Sequence, residues 1–252
     1  MCWSAEASVA MAGMGITGAV WSACKKDPLP ISLWGPLLYF SLMEALQSYT
    51  YTVLNQCSLP SNQIATLLGY LHIVFQPFFI NAIALYFLPQ QLASRLYIPV
   101  FVLCFVSSII MLLQLYPFDW AGMCELGRPL CGQRLCSVSG NWHVAWEVPS
   151  NSIGNWTFDH HLTGYFSYTF AAGILPLLYG SWRFTLYQLV MGPVLARILT
   201  NNLNEWPAVW CLLSIGFLLI IVVTPLRRLL FVNPGWLARL LNMPVGNTVA
   251  RV

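Results

Sequence analysis

The chain has 252 residues, of which 58% are hydrophobic and 8% charged, and its mean hydropathy is +0.68. A soluble domain carries about 25% charged residues, so this chain lacks the polar side chains to coat a water-facing surface. It reads as an integral protein of a cell membrane, inner or plasma, with the lipid bilayer as its first partner. A net charge of +3 gives no reason to invoke a nucleic-acid partner.

A helix that crosses the bilayer needs about 20 mainly apolar residues. Segments of that kind lie near 7–23, 31–54, 62–88, 96–117, 160–182, 184–202 and 206–231, which predicts an all-α polytopic bundle of about seven spans. The start, MCWSAEASVA, lacks the basic stretch of a signal peptide, so the first segment is expected to act as its own insertion signal. Its Gly13–Gly18 stretch, GMGITG, reads as a close-packing helix face.

The second segment carries YFSLMEALQSYTY. It places Glu44 about 15 Å from its outer end, with Gln47 and Tyr51 on the same face at i+3 and i+7. The third carries YLHIVFQPFFIN, with His72 at matching depth and Gln76 one turn on. Pro77 cannot donate to the carbonyl one turn back and predicts a kink beside the imidazole. Consecutive spans joined by a short loop are antiparallel neighbours. Glu44 and His72 are therefore expected to face each other, directly or through a metal or water, because a carboxylate in hydrocarbon costs ~2.5–3.5 kcal/mol. Ser107 and Ser108, in the fourth segment, are expected to bond back to their own helix.

Between the fourth and fifth segments lies a long Cys-rich outer loop, about 118–159. Outer cysteines sit in an oxidising compartment and tend to pair, so Cys57, Cys124, Cys131 and Cys136 are the disulfide candidates. Cys124, Cys131, Cys136 and His143 also have the residue types of a zinc site, at a spacing that matches no standard zinc pattern. Cys2 leaves the outer cysteines odd in number and is expected to be a disulfide partner or a buried thiol. Asn155-Trp156-Thr157 has the form of a glycosylation acceptor. Arg197 and Glu205 are expected to form an interfacial ion pair. Trp142, Trp146, Trp156, Trp206 and Trp210 fit an outer aromatic belt.

Lys25, Lys26, Arg95, Arg183, Arg227 and Arg228 all fall on one side of a seven-span chain. The positive-inside rule makes that side cytoplasmic, with the N-terminus outside and the C-terminus inside; Arg128 and Arg134 lie in the long loop, where the rule is weaker. The tail, about 232–252, is amphipathic and is expected to lie on the inner surface with Trp236 as an anchor.

Several strings, LHIVFQPFFIN, MCWSAEAS, DWAGMC, LCGQRLCSVSGNWHVAW and NEWPAVWCLLSIG, together resemble a family of uncharacterised multi-pass membrane proteins. The resemblance covers most of the chain. It implies the multi-span fold and lends no catalytic residues. In outline the chain is also similar to seven-span hydrolases of the alkaline ceramidase type. Those carry a His-x-x-x-His pair that is missing here: His160 and His161 are adjacent. Such an analogy is a weak warrant.

The first functional expectation is an intramembrane enzyme acting on a lipid or another apolar small molecule. Glu44 and His72 are its acid–base pair or the ligands of a divalent metal such as zinc, and Gln76, Tyr51 and His161 are further pocket members. The alternatives are a non-catalytic membrane scaffold or accessory subunit, in which the polar pair holds helices together, and a small proton-linked transporter broken at Pro77, Pro176 and Pro193.

Overall fold

A computed structural model describes residues 3–153 and 165–241. Cys2, the Asn155-Trp156-Thr157 tripeptide, His160, His161 and residues 242–252 lie outside the described residues.

Helix α1 spans Ala5–Cys24 and starts at Ser4, whose hydroxyl accepts from the Ala7 amide at 3.3 Å. Helix α2 spans Ile31–Thr50 and ends in the 3-10 turn Tyr51–Val53. A Cβ at Gly15 would collide with Ser41, so the glycine lets α1 lie directly against α2. Helix α3 spans Pro60–Tyr86, with Pro60 in its first turn, where a missing amide costs nothing. Helix α4 spans Gln90–Leu113.

The chain then leaves the helical pattern. Strands β1, Cys136–Ser139, and β2, Val144–Glu147, form an antiparallel hairpin with Ser139 opposite Val144. This corrects the all-α expectation: the long Cys-rich loop contains a small sheet. Its buried face includes Trp146, 1% exposed, which belongs to the core and not to an aromatic belt. Asn62 of α3 binds the hairpin as another strand would. Its Nδ2 donates to the Ser137 carbonyl at 2.9 Å, and its Oδ1 accepts from the Ser137 amide at 3.0 Å.

Helix α5, Phe166–Leu178, contains the π turn Phe170–Ile174. Helix α6 runs from Trp182–Leu189 through the π turn Val190–Val194 to Leu195–Leu199. A proline accompanies each π turn: Pro176 follows the first and Pro193 lies in the second. The wider turn accommodates the amide that proline lacks. Arg183 lies in the first turn of α6. Helix α7 spans Trp206–Val223, and short helices at Arg227–Leu230 and Gly235–Leu240 follow.

Helices α1, α3, α4 and α7 are each long and apolar enough to cross a membrane. Helix α2 is equally long as α1 but carries Glu44 and Gln47 in its interior. The two ends of the bundle differ. At one end the N-terminus, the turn after α2, the hairpin and the α6–α7 turn meet: Trp3 N–H donates to Trp142 O, Asn55 N–H to Ser137 O and Trp146 N–H to Asn204 O, at 3.0, 3.1 and 3.0 Å. The Cys57–Cys136 disulfide joins α3's leading turn to β1, and Cys124–Cys131 closes a smaller loop. At the other end Arg183 donates to the carbonyls of Leu229 and Phe231, Arg95 donates to that of Leu241, and Val232 N–H donates to Phe87 O. Trp236 there is 58% exposed.

Candidate functional site

Glu44 and Gln47 are both fully buried on the inward face of α2, and among the described residues no oxygen or nitrogen of either side chain has a hydrogen-bond partner. Buried carboxylates are normally paired, so the neighbour of Glu44 defines the site. That neighbour is His143, in the turn between β1 and β2. Its Nε2 lies 3.5 Å from Glu44 Oε1, and both side chains are fully buried. The contact is longer than a charge-assisted hydrogen bond, which runs at about 2.7–2.9 Å.

The other imidazole nitrogen fixes the chemistry. The Val144 amide donates to His143 Nδ1 at 2.8 Å, and the Tyr51 hydroxyl lies 3.0 Å from the same atom. An amide N–H can only donate, so Nδ1 accepts, and the neutral ring carries its proton on Nε2, facing Glu44. Tyr51 then donates to Nδ1. The sequence of groups is carboxylate, imidazole, phenol, the order in which a carboxylate orients a base that takes a proton from a hydroxyl. Aromatic rings surround the imidazole: Tyr51 is stacked on it with centroids 5.8 Å apart, and Trp3 and Trp142 lie at 6.0 and 6.3 Å.

The turn that carries His143 is held by Glu205, which precedes α7. The Glu205 carboxylate accepts the amides of Asn141 and Trp142 at 3.1 and 2.5 Å, the amide of His143, and the Thr200 hydroxyl at 2.6 Å. This corrects the expected ion pair with Arg197: Glu205 is fully buried, and the Arg197 guanidinium lies over the Trp206 ring at 4.9 Å instead.

His72 is not brought to Glu44. Its ring stacks on Tyr39 at 3.9 Å, the Tyr39 hydroxyl donates to its backbone carbonyl at 2.5 Å, and its Nε2 has no hydrogen-bond partner among the described residues. Matching depth on neighbouring helices did not make the two side chains face each other, because α3 turns His72 toward the Tyr39 side of α2. Gln76 also has other partners. It donates to Cys211 Sγ at 2.9 Å and accepts the Tyr168 hydroxyl at 2.6 Å. Tyr51 does join Glu44, through His143. Ser108 donates across to Val74 O on α3 at 2.7 Å, while Ser107 Oγ has no partner, so neither expected bond to their own helix forms.

The cysteines are spent on disulfides, which overturns the zinc reading of Cys124, Cys131, Cys136 and His143. Among the described residues no three His, Cys, Asp or Glu side chains gather. Glu44 and His143 would offer two ligands where catalytic zinc usually has three, and the imidazole presents its protonated nitrogen. The donor set does not fit zinc.

Sequence reasoning missed His143 as a partner of Glu44 and gave Glu205 a different partner, Arg197, in place of the turn that carries His143. The string GNWHVAWE carried a signal for the first, a histidine at the tip of two short alternating runs.

The fold and site define a mainly helical protein with four membrane-length helices and a disulfide-linked hairpin that delivers a histidine to a buried glutamate. The chain belongs to a family of unknown function, DUF5765, which matches residues 6–231 and so includes Glu44, Tyr51, His143 and Glu205. No curated protein and no solved structure matches the chain.

Proposed function

We propose that the chain is an integral membrane enzyme that crosses the bilayer seven times, and that Glu44, His143 and Tyr51 perform acid–base chemistry on a lipid or another apolar substrate at the outer face. The topology is supported by the two unlike ends of the bundle. The basic residues Lys25, Lys26, Arg95, Arg183, Arg227 and Arg228 belong to one end, which the positive-inside rule assigns to the cytoplasm. The disulfides belong to the other, in keeping with an oxidising outer compartment.

The single observation that carries the enzyme reading is the His143 ring, with one nitrogen 3.0 Å from the Tyr51 hydroxyl and the other 3.5 Å from a buried carboxylate that has no other partner among the described residues. In this arrangement the Tyr51 hydroxyl relays a proton from the substrate to His143, giving up its own as it gains the substrate's, and Glu44 stabilises the imidazolium that forms. Tyr51, half-buried at the mouth of the bundle, is the group that meets the substrate. An ionisable residue within a membrane bundle is a functional candidate by default.

The test is lipid turnover. Purified protein in nanodiscs of mixed phospholipids and sphingolipids is followed by lipid mass spectrometry, beside Glu44→Gln, His143→Gln and Tyr51→Phe. A product made by the native chain and lost in all three variants is expected. Turnover that survives all three would overturn the site. No product from any lipid class would favour the scaffold reading.

A further inference from the structure

The strongest group outside the proposed site is Glu205. It is a fully buried carboxylate, and no Lys or Arg forms an ion pair with it among the described residues. An unpaired buried charge is costly, so something about its surroundings must compensate. Four donors do so. The amides of Asn141, Trp142 and His143 are consecutive and converge on its two oxygens, and the Thr200 hydroxyl completes the set. Successive amides pointing at one spot make an anion-binding nest, and bonds to a charged acceptor are roughly twice as strong as neutral ones.

We propose that Glu205 is a positioning residue for His143: its carboxylate fills the nest of the 140–143 turn and thereby aims the imidazole at Glu44. The proposal rests on the Glu44–His143–Tyr51 reading of the site. Three further contacts point the same way. A Cβ at position 140 would lie 2.6 Å from the Glu205 carboxyl carbon and 2.5 Å from His143 O, so Gly140 is what lets the turn close over the carboxylate. From the opposite side Trp3 stacks on Trp142, with centroids 5.5 Å apart, and its N–H donates to the Trp142 carbonyl. The His143 amide is itself one of the nest donors, and the next amide, Val144 N–H, donates to the imidazole. The backbone on both sides of the ring is thus pinned, and with it the tautomer that presents Nε2–H to Glu44.

The experiment reads the ring directly. The full chain is labelled with 15N-histidine, placed in nanodiscs, and its imidazole signals recorded; with four histidines in the chain, His143→Gln identifies the relevant one. The native protein is expected to give the fixed Nε2–H tautomer. Glu205→Ala should replace that signal by one averaged over both tautomers, and added formate, a small carboxylate able to occupy the vacated nest, should restore it. Glu205→Gln keeps the volume, offers one acceptor oxygen and turns an N–H toward the amides; it should shift the signal even if the alanine variant fails to fold. Intact Cys57–Cys136 linkage by mass spectrometry certifies folding of each variant. An unchanged His143 signal in either folded variant overturns the proposal. Lipid turnover separates the two readings. If His143→Gln leaves turnover intact, the cluster is not the reacting site, whatever the ring signal does. If the cluster is the site, Glu205→Gln should lower turnover by up to about a hundredfold, the effect of a small misplacement of a reacting group.

Discussion

Glu44 and His143 come from opposite sorts of segment, a helix of the bundle and the turn of a β-hairpin, yet they meet with Nε2 3.5 Å from Oε1 and both side chains fully buried. Their coupling is measurable. In a double-mutant cycle of Glu44→Gln and His143→Gln, the double change should destabilise less than the sum of the singles by about 0.5–3 kcal/mol. The same cycle run between Glu44 and His72 should be additive to within about 0.5 kcal/mol. Thermal unfolding in detergent, monitored by circular dichroism, reads both. Coupling to His72 and not to His143 would reverse the assignment.

The disulfides make a chemical prediction. Non-reducing peptide mapping should recover Cys57 linked to Cys136 and Cys124 linked to Cys131, with Cys24, Cys104 and Cys211 open to alkylation after unfolding. Cys57→Ala should cost about 2–4 kcal/mol, since the bond closes a long loop. Recovery of Cys131 linked to Cys136 would contradict the arrangement.

Gln76 tests the packing of the interior. Tyr168→Phe removes the hydroxyl that donates to Gln76 Oε1 and leaves a buried acceptor unpaired. A loss of about 1–3 kcal/mol is expected, while the Glu44–His143 cycle above should keep its coupling. Stability unchanged within error would argue against the bond.

Topology is open to a simple measurement. A reporter fused after residue 252 should read cytoplasm, and a thiol-reactive label on Cys introduced at Gln56 should be reached from outside the cell. An external C-terminal signal would invert the proposed orientation and, with it, the compartment of the site.

The membrane-length helices α1, α3, α4 and α7 were legible in the sequence because hydropathy over a span is a sum, insensitive to detail. Cys57 as a partner of the loop was legible for a similarly coarse reason: counting the apolar segments puts it at the same end of the bundle as the loop. The burial of Glu44 followed from composition too, but its partner did not. Helical periodicity tells which face of α2 the carboxylate occupies; it does not tell which distant segment folds back over that face. The hairpin was hidden by its brevity, four residues per strand. The part Glu205 plays, in place of the expected ion pair with Arg197, was hidden for another reason: its donors are mostly backbone amides, which leave no mark on side-chain identity.

The hairpin's contribution of His143 bears on how the protein is made. In the proposed topology, synthesis delivers α2 before residues 136–147 exist, so Glu44 would enter the bilayer without His143, at a penalty of about 2.5–3.5 kcal/mol. On that reading α2 would lack the partner of its buried carboxylate until the later segment docks. A chain stalled before residue 143 should therefore be an early target for membrane quality control.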